Sequence, residues 1–296
     1  MSLKKSLLKL ADLTKEEIIK ILDLADQFKF EFKNNVEFKP LKDKTLAMIF
    51  AKPSTRTRVS FETGIFQLGG HALVLGINDM QLGRGETIED TAQVLSRMVD
   101  GIMIRTFAQQ DVEDLDKYGT IPVINGLTDY CHPCQVLADL MTIREFLYEL
   151  EGKKIAFLGS GNVCNSMIVG SEICGMDMVV SCPEKYKPDV DAKYNYTKNP
   201  HEAVENADVI VTDTWTSMGQ ESERAARIKE FTGYQVNDEL MKTAPSHAIV
   251  QHCLPAHKGE EITESVFREH ADEIYSEAEN RLHAQKAVMA ILMGEK

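Results

Sequence analysis

Ser54-Thr55-Arg56-Thr57-Arg58 places three hydroxyls and two guanidinium groups within five residues. Hydroxyls donate to anionic oxygens, and arginine grips phosphate bidentately through charge-assisted hydrogen bonds. The segment follows the apolar run 45–51 (TLAMIFA) and precedes a helical pattern carrying Phe61, Ile65 and Leu68. Ser54 is therefore a predicted N-cap. The unpaired N–H groups and dipole of the first helical turn add to an anion site. A capped helix with two solvated arginines is the plain structural alternative, and the density of donors at a strand-to-helix junction outweighs it. Arg105 ends the apolar run 101–105 (GIMIR). In a parallel sheet, ligands bind beyond the carboxyl ends of the strands. His132-Pro133-Cys134-Gln135 opens another helix. Pro133 suits its first position, which leaves His132 at the helix mouth, facing an anion or a carbonyl.

Two other patterns carry less. Cys131 and Cys134 form a C-x-x-C with no second pair to complete a zinc site, so neither metal nor redox chemistry is expected. Gly159-Ser160-Gly161 follows a strand, but Cys164 stands where a dinucleotide fingerprint needs its third glycine. Ser181-Cys182-Pro183 supplies no acid at the end of the next strand, and a nicotinamide site is not expected.

The elements that hold these residues alternate. Thr14 with Glu17 reads as a capping box opening a helix with Ile18, Ile21, Leu22 and Phe28 on one face. Strands are predicted at 45–51, 73–75, 101–105 and 121–124, with a polar loop over 78–86 and a helix start at Thr87. A connector helix covers about 133–149, after which strands recur at 154–158, 177–181, 208–212 and 248–251. A last helix spans 278–293 with Leu282, Val288, Met289 and Leu292. This rhythm predicts an α/β protein of two domains, each a mostly parallel β-sheet flanked by helices. The expected division is 1–140 and 141–277, with the C-terminal helix 278–296 packing back toward the first domain.

The chain's 296 residues suit two such domains. Its 33 Lys+Arg against 46 Asp+Glu give a net charge of -13, which argues against a nucleic-acid or anionic-membrane partner. A local arginine cluster can still hold a small anion. Six cysteines are too few for a disulfide scaffold and fit a reducing cytoplasm. No signal peptide or membrane-spanning run is expected.

Together with Asp213-Thr214-Trp215-Thr216-Ser217-Met218-Gly219 and His252-Cys253-Leu254-Pro255, these motifs resemble the aspartate/ornithine carbamoyltransferase superfamily over essentially the whole chain. The last two motifs resemble its ornithine branch. The resemblance implies a carbamoyl phosphate-binding domain followed by an ornithine-binding domain, and no cofactor. It implies that Ser54, Thr55, Arg56 and Thr57 hold the phosphate, with Arg105 on phosphate and carbonyl. His132 and Gln135 would hold the carbamoyl group, and Cys253, Leu254 and Arg281 would complete the site beside it. Asn162, Asp213, Ser217 and Met218 would bind the amino-acid end of ornithine. Asn162 aligns through Asn165-Ser166, in a turn one residue shorter than is usual in the family. A homotrimer is implied, with Gln81 reaching a neighbouring subunit's site.

Carbamoyl transfer to the side-chain amine of L-ornithine would give L-citrulline and phosphate, and the same residues serve the reverse reaction. Arg56, Arg105, Thr57 and His132 can stabilise charge on the carbonyl oxygen and on the leaving phosphate. The nucleophile must be neutral, and an alkylammonium with pKa near 10.4 is about 4–5 kcal/mol from that state at pH 7. Asp213 is expected to orient the α-ammonium, and Cys253, as a partial thiolate, to accept or steer a proton. The residues over 216–226 are expected to close as a lid, and Trp215 to pack in the core. Putrescine lacks the α-amino acid groups Asp213 would read, acetylation of ornithine would block its ammonium, and aspartate would need a basic pocket. A non-catalytic binding protein would not need Arg56, His132 and Cys253 together.

Overall fold

The structure is a computed structural model and describes residues 6–216 and 224–294. It divides into two compact units, 1–138 with 280–296 and 139–279.

In the first unit, β1 (Thr45–Phe50), β2 (His71–Gly76), β3 (Gly101–Arg105) and β4 (Val123–Leu127) form a parallel sheet in the order β2-β1-β3-β4. Leu46 to Ile49 on β1 are fully buried, as a parallel strand covered on both faces requires. Ala47, Ile49, Ile102 and Ile104 pack with Ala92, Val112 and Leu115. The covering helices are α1 (Lys15–Lys33), α2 (Thr55–Gln67), α3 (Ile88–Leu95) and α4 (Gln109–Tyr118). The capping box at Thr14 and Glu17 is formed. Leu7 adds a parallel bridge to Ile124 beyond β4. The chain leaves this unit within α5 (Pro133–Leu147).

The second unit holds β5 (Lys154–Leu158), β6 (Asp177–Ser181), β7 (Asn195–Thr197), β8 (Val209–Thr212) and β9 (Ile249–His252), all parallel, in the order β7-β6-β5-β8-β9. Its helices are α6 (Asn162–Cys174), α7 (Pro200–Val204), α8 (Arg224–Glu230), α9 (Asp238–Met241) and α10 (Glu264–Glu269). Ala156, Leu158, Ile210 and Val250 pack against Val204, Leu240, Val266 and Phe267.

The final helix, α11 (Ala271–Met293), returns to the first unit from Asn280 onward. There it lies so close to α2 that a Cβ on Gly64 would stand 3.0 Å from Met289 Cε. Among the described residues, no helix is long and apolar enough to cross a membrane.

Several boundaries differ from the sequence reading. β4 starts at Val123 rather than at 121, because Pro122 has no N–H to give the ladder; its carbonyl accepts from Ile102 N at 2.9 Å. The segment 78–86 is overlapped by short 3-10 turns at Ile77–Asp79 and Gln81–Arg84. β7 was not expected: it is a three-residue edge strand with no apolar alternation. α11 begins at Ala271, not 278, since its first two turns are polar except for Ala271, Ile274 and Tyr275.

Candidate active site

Sheet order sets where each unit can bind a ligand. In the first, the chain leaves β1 toward β2 on one side and leaves β3 toward β4 on the other. Connections diverging from neighbouring strands open a crevice at their carboxyl ends. Ser54 to Thr57 follow β1 there, and Arg105 ends β3 opposite Phe50.

Ser54 caps α2, its hydroxyl accepting from Thr57 N at 3.2 Å. Thr57 is fully buried. Its hydroxyl accepts from Arg105 Nη1 at 3.5 Å and from Arg281 Nη2 at 3.3 Å. Arg281 Nη1 donates to Gln135 Oε1 at 2.7 Å. Arg105, Arg281, His132 and Gln135 are all buried, while Ser54 and Arg56 are partly exposed and Thr55 is exposed. The structure thus joins Thr57, Arg105, Gln135 and Arg281 through side-chain hydrogen bonds.

His132 belongs to the same cluster electrostatically. Burial, then the charges of Arg281, Arg105 and Arg56, hold its imidazolium form well below the usual histidine range. It is a neutral imidazole at physiological pH, able to donate a hydrogen bond without adding a charge. Two buried guanidiniums meeting at one hydroxyl form a desolvated positive site. An anion placed there relieves both the burial and the repulsion.

Sequence reasoning missed Gln285, one turn beyond Arg281 on the same face of α11. Turned so that its oxygen meets donors, the Gln285 amide accepts from Arg281 Nε at 3.0 Å and from Nη2 at 2.7 Å, and donates to Ser60 Oγ at 2.5 Å. It fixes the Arg281 fork. Gln81 stands exposed at the start of its 3-10 turn, and its side chain takes no part in the hydrogen bonds described above.

In the second unit the divergence falls between β5 and β8. Asn162 follows β5 as the first residue of α6, and Asp213 follows β8. Gly161 precedes Asn162 with φ 116 and ψ -166, a conformation open essentially to glycine alone. Asp213 is buried, and its Oδ1 accepts from Thr214 N at 2.6 Å and from Cys253 Sγ at 3.0 Å. Cys253, just past β9, is partly buried.

Burial, followed by the charge and hydrogen bond of Asp213 and the charges of Glu277 and Asp139, pushes the Cys253 thiol well above its ordinary range. The expected partial thiolate is therefore corrected: Cys253 is a protonated thiol donating to Asp213. Behind it, Leu254 N donates to His252 Nδ1 at 2.9 Å. The ring proton consequently sits on Nε2, which donates to Glu261 Oε1 at 2.9 Å, both side chains being fully buried. His252 N donates to Glu277 Oε2 at 2.8 Å. These bonds hold Leu254 in the left-handed region, φ 54.

Trp215 is buried and stacks on Phe231 with ring centroids 5.7 Å apart, as core packing requires. Ser217, Met218 and most of the expected lid lie outside the described residues; its end, from Arg224, is helical in α8. Cys131 and Cys134 are buried with thiols pushed up by desolvation to about 11 and about 12, the reverse of reactive cysteines.

The family model for the aspartate/ornithine carbamoyltransferase carbamoyl-P binding domain matches residues 5–145. The model for the Asp/Orn binding domain of the same enzymes matches residues 151–292. An ornithine carbamoyltransferase of Carboxydothermus hydrogenoformans is 52% identical, covering 97% of each chain. That of Archaeoglobus fulgidus is 51% identical, covering 99% of this chain and 98% of its own. Among solved structures, ornithine carbamoyltransferase from Pyrococcus furiosus superimposes with a TM-score of 0.94 at 49% identity over 100% of both chains. The anabolic enzyme from Campylobacter jejuni gives 0.91 at 40% identity over 99% of both. With both of its domains matched in order along nearly all of its length, this chain belongs to the aspartate/ornithine carbamoyltransferase family.

Proposed function

We propose that this protein transfers the carbamoyl group of carbamoyl phosphate to the side-chain amine of L-ornithine, giving L-citrulline and phosphate. The observation that carries the reading is the buried meeting of Arg105 and Arg281 on Thr57 at the carboxyl ends of β1 and β3, with a neutral imidazole at His132. Such a group suits an acyl phosphate, in which the carbonyl carbon is joined directly to the phosphate oxygen.

In this reading Ser54, Thr55, Arg56 and Thr57 hold the phosphate together with the first N–H groups of α2. Arg105 bridges phosphate and carbonyl. His132, Gln135 and Arg281 hold the carbamoyl group, with Cys253 and Leu254 beside it. Asp213, Asn162, Ser217 and Met218 hold the α-amino acid end of ornithine. The amine lone pair attacks the carbonyl carbon, a C–N bond forms, the C–O bond to phosphate breaks, and the proton lost by the nitrogen passes to the departing phosphate. Negative charge passes to the carbonyl oxygen and then to phosphate, against donors already in place. The Cys253 thiol does not open as a base; its hydrogen bond to Asp213 fixes the carboxylate that faces the substrate ammonium.

We further propose a homotrimer in which Gln81 of one subunit completes a neighbour's site. Its exposure on a turn beyond the edge strand β2 supports this.

The test is phosphate release from carbamoyl phosphate with L-ornithine, putrescine, N-acetylornithine and L-aspartate in parallel, with the carbamoylated product identified. Turnover with ornithine alone is expected. Preference for another amine discards the second-substrate assignment, and no turnover with any discards the reaction.

A further inference from the structure

Three loops deliver the anion-binding residues of the first unit. The loop after β1 leads to Ser54–Thr57, the loop after β3 starts from Arg105, and the loop after β4 leads to His132 and Gln135. Lys52 lies where the three meet. Its side chain is only 5% exposed. Its Nζ donates to the Asp129 carboxylate, in the third loop. The same Nζ stands 4.2 Å from the centroid of the Phe107 ring, in the second. Pro53 alone separates it from Ser54, and a proline fixes that link at φ near -65°.

The backbone continues the same lacing. Asp129 N donates to Phe107 O at 2.8 Å, Thr106 N to Leu127 O at 3.0 Å, and Ala51 N to Arg105 O at 2.9 Å. A lysine buried for packing alone is a poor choice, because desolvating its charge is costly and an apolar side chain of similar length would serve. An ammonium has what an apolar side chain lacks here: one group that bonds a carboxylate and a ring face on separate loops.

We propose that Lys52 is a positioning residue for the phosphate site. It pins the loops after β1, β3 and β4 to one another, so that Ser54–Thr57, Arg105, His132 and Gln135 present their donors to one anion without reorganisation. The proposal rests on the carbamoyl phosphate reading above. The cost of losing it is large in principle, since misplacement of a binding group by about 1 Å lowers a rate by on the order of 100-fold.

A rival role, Lys52 as a direct ligand of the anion, makes the opposite prediction at Asp129. If Lys52 clamps, neutralising Asp129 loosens the loops and weakens anion binding. If Lys52 is a ligand, the same change frees its ammonium and strengthens binding.

The experiment is calorimetric titration of the full-length protein with inorganic phosphate and with carbamoyl phosphate, alongside kcat and KM. The variants are Lys52→Met, Lys52→Arg and Asp129→Asn. The Asp129 side chain is 64% exposed, so its variant folds even where Lys52→Met does not. Expected is a Kd for both anions raised about tenfold or more in Lys52→Met and Asp129→Asn, with KM for carbamoyl phosphate rising in step. Lys52→Arg should recover most of the affinity, because a guanidinium can bond Asp129 and stack on Phe107. Tighter binding in Asp129→Asn overturns the clamp in favour of a direct ligand, and unchanged binding in both neutral variants overturns any role. Wild-type protein that binds neither anion removes the carbamoyl phosphate reading itself.

Discussion

At the scale of single residues, the site works through which groups are charged. His132 is neutral because burial, and then three arginines, oppose its proton, and this has a consequence for stability. An unfolded histidine takes its proton near pH 6.5, whereas the folded imidazole resists it until well below. Between those values the unfolded chain binds more protons, so stability rises with pH. The stabilisation is present above about pH 6.5 and is lost as pH falls toward the folded value. The melting temperature should therefore drop between about pH 7 and pH 5, and His132→Asn should flatten part of that drop. Parallel slopes in thermal scans of the two proteins would show that His132 is not held neutral. Cys253 makes the complementary case. A thiol pushed well above its ordinary range by burial and by Asp213 should react with iodoacetamide at pH 8 at least tenfold more slowly than a free cysteine, in proportion to its thiolate fraction, roughly. Alkylation at the free rate would mean a thiolate and restore Cys253 as a base. The sequence exposed these residues through their motifs but not their protonation. The hydroxyl, arginine and histidine types are local, while the charges that set a pKa arrive from α11 and from beyond β8.

At the scale of elements, strands were legible wherever burial on both faces left a continuous apolar run. β3, β5 and β6 stand at 101–105, 154–158 and 177–181, where the sequence reading put them. Helix starts were legible where a side chain caps, as at Thr14, Ser54 and Thr87. What escaped were elements held by neighbours rather than by their own pattern: the edge strand β7 and the polar opening of α11. Gly161 is a case where one local constraint places a proposed ornithine-binding residue. Its φ of 116 turns the chain from β5 so that Asn162 opens α6, and a Cβ there would meet nothing within 4 Å. The penalty for Gly161→Ala is thus backbone strain alone, on the order of 1–3 kcal/mol. A lowered melting temperature is expected, together with a raised KM for ornithine and unchanged phosphate binding, which the proposed function assigns to the other unit. A variant with wild-type melting and KM would show that the turn does not place Asn162.

At the scale of the whole molecule, a net charge of -13 coexists with a buried cluster of arginines. The charged surface discourages large polyanions, while the crevice beyond β1 and β3 concentrates positive potential where a small anion fits. Gln81 raises the question of how many chains make one site. It is exposed, and the turn that carries it lies between β2, the edge of its sheet, and α3. Leu73, Val94 and Met98 nearby in sequence are also exposed. If Gln81 serves the subunit beside it, then Gln81→Ala spoils a neighbour's site and Arg56→Gly spoils its own. Each is expected to be nearly inactive as a pure protein. Refolded together in equal amounts, the two would form, in the proposed trimer, some sites that pair an intact Arg56 with an intact Gln81 from the next chain. Each site meets both conditions with probability one half times one half, so about a quarter of wild-type activity should return. If Gln81 instead served its own chain, every site would carry one defect and mixing would restore nothing. Activity measured against the mixing ratio should peak at equal proportions, since the product of the two fractions is greatest there. A flat, near-zero curve would place the whole site within one chain.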